Sequence, residues 1–98
     1  MKKEQMALLK TIQQVILYLR VLGWDGKNSK DPNEQFEMIA DLADSIHNIP
    51  EALMQDEIDL NFHVEIMLGG FDSKEYSDAP CSPYQIYQNE LRMLKNEM

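Results

Sequence analysis

Cysteine is nearly missing: Cys81 is alone in 98 residues. That excludes an intrachain disulfide, a thiolate cluster and a CxxC redox pair, and a cytoplasmic location is the compartment a single thiol fits. The two histidines, His47 and His63, leave too few nitrogen ligands for an all-imidazole zinc site, and Glu-x-x-His, the signature of carboxylate-bridged dimetal bundles, does not occur. Gly69-Gly70 lacks the downstream glycine and lysine of a phosphate-cradling loop. No uninterrupted apolar stretch approaches twenty residues. Ile12 to Leu22 is broken by Gln13, Gln14, Tyr18 and Arg20, and reads as an amphipathic helix more than as a membrane span or a secretory signal.

The most informative absence is of positive charge. Six of the nine basic residues precede Asp31 and the other three lie from Lys74 onward, while Asp31 to Ser73 holds eleven carboxylates and neither lysine nor arginine. With a net charge of −8, this one-sign segment repels phosphate backbones and attracts cationic surfaces. Direct nucleic-acid binding is therefore disfavoured and a basic protein partner favoured.

What is present is helical periodicity. Leu8, Ile12, Val15, Leu19 and Leu22 recur at intervals of four and three, with Leu9 and Ile16 widening the stripe, and predict a helix from Glu4 to Leu22 that Gly23 ends. Turn formers follow over WDGKNSKDPN. Asp31 and Pro32 then supply a cap and a first-turn proline for a second helix running to His47, which Pro50 interrupts before a short turn with Glu51 at its start and Leu53 and Met54 inward. A third helix is predicted over Asp56 to Leu68, with Leu60, Val64, Met67 and Leu68 inward and Gly69-Gly70 ending it. Ser82, Pro83 and Gln85 start the last helix, whose apolar side carries Tyr84, Tyr87, Leu91, Leu94 and Met98. The fold class is all-α: one four-helix bundle-like domain spanning residues 1–98, its second helix interrupted by proline.

On the second helix, at about 100° per residue from Glu34, Glu37 falls near about 300°, Asp41 near about 340° and Asp44 near about 280°, while Ile39, Ala43 and Ile46 cluster between about 120° and 180°. Four carboxylates thus share a face. Glu34, Glu37, Asp41, Asp44 and, past the proline, Glu51 are the predicted protein-binding residues, with Trp24, Met54 and Phe71 as apolar anchors. His47 reads as a partly buried ring hydrogen-bonded near a helix end. No catalytic residue, metal ligand or cofactor site is predicted, and Cys81 has no histidine near it in sequence to activate it.

The same acidic spacing has a second reading. Glu34-x-x-Glu37 and Asp56-x-x-Asp59 resemble the metal-binding carboxylate pairs of the all-helical MazG-like nucleotide pyrophosphohydrolases, although Asp56 stands where the family has glutamate. The resemblance covers those four positions and implies a magnesium-dependent hydrolase. Lys27, Lys30 or a neighbouring subunit would then have to face the triphosphate. Against it stands a non-catalytic module, most concretely an immunity protein or antitoxin-like inhibitor of a basic toxin or nuclease. A structural or regulatory subunit of a homo-oligomer is the remaining class.

Overall fold

A computed structural model describes residues 2–55, 58–72 and 82–96. It is an all-α, four-helix bundle-like assembly with a bent second helix; among the described residues there is no strand. The elements are α1 (Lys3–Lys27), α2 (Asn33–Ile46), α3 (Ile49–Met54), a π-helical segment (Asn61–Leu68) that runs directly into α4 (Gly69–Asp72), and α5 (Pro83–Asn96). The predicted inward position Met98, the pair partner Asp56, and Cys81 lie outside the described residues.

The long helix α1 organises the bundle, packing against α5 and against α2. Its core stripe is Ala7, Leu8, Thr11, Ile12, Val15 and Leu22. The buried Thr11 hydroxyl donates to the Ala7 carbonyl at 2.8 Å, so burial costs it no hydrogen bond. Gly23 does not end the helix as its position predicts. α1 continues for another turn to Lys27, where the amide and side chain of Asn28 both donate to the Trp24 carbonyl. Glycine weakens a helix interior by only about 1 kcal/mol, less than a well-made C-terminal cap and tertiary packing supply. Gly26 is buried where the start of α2 crosses, with Pro32, Gln35 and Phe36 around it.

α2 begins one residue later than the sequence predicts: Pro32 is the cap, and the Asp31 carboxylate accepts the Asn33 amide at 3.4 Å. Pro50 breaks the helix as predicted, and α3 resumes with Ile49 fully buried and the proline in its first turn. Met54 is 82% exposed, so its predicted inward placement is wrong; Leu53 alone of that pair packs on the core.

The third helix departs furthest from expectation. Ile58 and Asp59 are not helical, and the chain then winds with π geometry through Leu68. Wider i→i+5 winding changes which residues share a face: His63, Val64 and Leu68 are buried, Leu60 and Met67 are half-buried, and Ile66 is exposed. Gly69 and Gly70 carry the chain into α4 instead of stopping it, and α4 delivers Phe71 to the core.

The α5 start follows the sequence closely, with the Gln85 amide donating to the Ser82 hydroxyl at 3.1 Å. Tyr87 is buried, and Tyr84, Ile86, Leu91 and Leu94 pack around the core. Burial, and secondarily the charges of Glu4 and Glu65, push the Tyr87 phenol above its ordinary pKa, so it stays protonated.

Candidate functional site

The acidic residues of α2 remain on one side of the helix, but of the predicted apolar face only Ile46 is buried. Met38, Leu42, Ser45 and Ile46 are buried, whereas Ile39 and Ala43 are only half-buried. The core face has rotated by roughly a quarter-turn towards the carboxylates: α2 packs against α1 and the π segment, and Ile66 and Met67 of the latter stand beside Asp41, Asp44 and Ser45. Two consequences follow for the predicted binding residues. Glu37 and Asp44 face solvent, while Glu34 and Asp41 sit at the margin, half-buried.

The rotation brings carboxylates next to apolar surface. Asp41, Asp44 and the buried Ser45 line a cavity of about 240 Å³, whose other walls are Ile66, Met67, Gly70 and Phe71. Ser45 turns its hydroxyl inward to the Leu42 carbonyl at 2.7 Å. The π winding and α4 build the apolar wall, so the cavity depends on the segment that the sequence described least well. At the end of α2, His47 is exposed with its Nδ1 2.8 Å from the Asp44 carbonyl; the hydrogen bond agrees with the sequence, the exposure is greater than predicted.

Glu51 does not join this group. It stands exposed in the first turn of α3, where its carboxylate accepts Gln55 Nε2 at 3.3 Å. It lines a separate cavity of about 200 Å³ with Asn48, Ala52, Gln55, Phe62 and His63. His63 was not foreseen as a core residue. It is buried, edge-on to Phe62 with ring centroids 5.2 Å apart, and among the described residues its Nδ1 and the Asn48 Oδ1 have no hydrogen-bond partner. Desolvation lowers the His63 pKa below its ordinary 6.5, and the nearby Asp59 charge opposes that shift.

For the metal reading, Asp59 is the one member of the second carboxylate pair that is described. Its side chain accepts the Phe62 amide at 3.2 Å, the role of a helix-start cap. Among the described residues, no three or more histidine, cysteine, aspartate or glutamate side chains converge to hold an ion.

Trp24 and Phe71, both proposed anchors, differ in availability. Phe71 is 4% exposed and belongs to the core, while Trp24 is 57% exposed with Lys27 Nζ 5.2 Å from its ring centroid. Sequence reasoning also missed Glu90, which α5 buries against α1: Gln14 Nε2 donates to one of its carboxylate oxygens, and Lys10 Nζ lies 3.9 Å from the other.

Comparison with known proteins found no matching family model, curated protein or solved structure.

Proposed function

We propose that this chain is an acidic protein-binding module, most concretely an immunity protein or antitoxin-like inhibitor of a basic toxin or nuclease, with the Asp41–Asp44 cavity as its receptor for a cationic side chain. The observation that carries the reading is the pairing of charge and apolar wall in that cavity. Lysine and arginine carry a long aliphatic stem and a charged head. A stem laid along Ile66 and Met67 places its head at Asp41 and Asp44, where a guanidinium can make paired charge-assisted hydrogen bonds.

Exposed Glu37 and Asp44 extend the negative field outward, accelerating encounter with a cationic partner in a salt-dependent way. Exposed ion pairs contribute only about 0 to 1 kcal/mol each. Tight affinity therefore rests on the cavity, where a side chain is partly desolvated. Glu51 lies off this cavity and serves as a peripheral contact.

The test is to copurify the chain with its partner from native cells, identify that protein, and compare association rates for the parent and the joint Glu37→Gln, Asp41→Asn, Asp44→Asn variant. The reading predicts a basic partner, association slowed by about tenfold or more at low salt, and an unchanged helical spectrum. Equal rates for the two proteins would reject it.

A further inference from the structure

The longest helix has two apolar faces, and the bundle uses one. Leu9 and Ile16 do not widen the core stripe of α1 as their spacing predicts: with Leu17, Val21 and Trp24 they stand away from it, between 42% and 57% exposed. Together they leave roughly 500 Å² of largely apolar surface along one helix, at the upper end of what a monomer tolerates without a use for it. We infer that this face packs against the same face of a second copy, with the two α1 helices antiparallel about a two-fold axis between Ile16 and Leu17.

The register itself favours a second copy. An isologous contact requires a patch complementary to its own reversed image. Reversal about the midpoint of Ile16 and Leu17 sets Leu9 against Trp24, Ile16 against Leu17, and Gln13 against Arg20. Gln13 and Arg20 thus meet each other, amide oxygen to guanidinium, while the third polar residue of the stripe, Lys10, reverses onto Gly23 and lies 3.9 Å from Glu90, and Val21 falls opposite the buried Ile12, outside the symmetric contact. The two Arg20 side chains originate about 10 Å apart along the axis at 1.5 Å per residue. A parallel arrangement would instead stack Arg20 on Arg20.

Area agrees with this occupant. Two such faces bury on the order of 1,000 Å², the lower bound for a specific interface. α1 carries Lys3, Lys10, Arg20 and Lys27 against Glu4 and Asp25, so it is more cationic than the other described elements of a chain with net charge −8. A bilayer is the competing occupant, because α1 is long and apolar enough to cross a membrane: its best 18-residue window has a mean hydropathy of 1.2, so Gln13, Gln14, Tyr18 and Arg20 interrupt the run less than the sequence reading implied. One face of that helix, however, is already committed to the core.

The experiment is light scattering on the full chain across a concentration series, with vesicle sedimentation on neutral phosphatidylcholine in parallel. The expected mass is twice 11.4 kDa at high concentration, rising with salt as the repulsion between acidic copies is screened. Leu17→Glu should raise the dimer dissociation constant by about tenfold or more with an unchanged helical spectrum. Gln13→Arg should weaken the dimer by setting like charges opposite each other, and adding Arg20→Glu should restore it. A parent that stays at 11.4 kDa throughout, variants that leave the mass unchanged, a Gln13→Arg defect that Arg20→Glu does not repair, or uptake of monomer by the vesicles would each overturn the inference.

Discussion

The α1–α5 pair and the segment from Asn48 to Phe71 bury side chains equally deeply but in different ways. In the first, two regular helices meet along their lengths, and the polar group they bury, Glu90, is met by Gln14 and Lys10. In the second, the π-wound segment and α4 pack against α2 while the short α3 meets α1, and Asn48 Oδ1 and His63 Nδ1 are buried without partners among the described residues. Unmet buried polar atoms cost about 1 to 3 kcal/mol each. The second region therefore holds its shape against a local cost that the first does not carry. It also forms the apolar wall of the Asp41–Asp44 cavity.

The sharpest way to break this contrast is to empty the core on each side. Leu8 and Leu68 are both fully buried. Leu8→Ala should cost about 3 to 5 kcal/mol, because regular helices on both sides hold the cavity open, whereas Leu68→Ala, beside an irregular turn that can collapse, should cost about 2 to 3 kcal/mol. Denaturant midpoints with matched m-values measure both. Equal losses would mean that the two regions are equally rigid.

Glu90→Ala probes the polar half of the contrast. It strips Gln14 and Lys10 of their shared acceptor at a helix interface, and a loss of about 1 to 3 kcal/mol is expected. Glu90→Gln keeps an acceptor for Gln14 and should recover part of that loss. Urea titration of the three proteins distinguishes a satisfied network from a passive surface contact, for which neither variant would differ from the parent.

The regular half was also the legible half. The stripe from Leu8 to Leu22, the break at Pro50 and the Ser82 start of α5 all follow from local rules, because spacing, a missing amide donor and a capping hydroxyl act within a few residues of themselves. Glu90 was hidden because a glutamate between apolar positions reads as solvated unless its partners, 76 residues away at Gln14, are known. The rotation of α2 was hidden for a related reason: Met38 and Leu42 are as apolar as Ile39 and Ala43, and only the approach of α1 and the π segment decides between them. The acidic residues were thus legible as a set, but their division between open surface and cavity margin was not. π winding has no periodicity signal of its own in a short window, so the burial of His63 in place of Ile66 was beyond reach.

His63 supplies the smallest effect and the one specific to the irregular region. Its folded-state pKa lies below the ordinary 6.5 because burial disfavours the charged ring. The unfolded chain therefore binds the proton more readily, and stability must fall as pH drops through about 6.5, levelling off once the folded-state pKa is passed. Above that range both states are neutral at this position and the contribution is flat. His63→Phe removes the titration, fills the same apolar site beside Phe62, and eliminates one unpartnered nitrogen. Thermal midpoints measured from pH 8 to pH 5 should decline less for the variant than for the parent, with the difference confined to the acid side. A parallel decline in both proteins would place the acid sensitivity elsewhere and show that the His63 ring finds a proton acceptor when charged, which would remove the clearest sign that this half of the molecule carries an uncompensated polar burial.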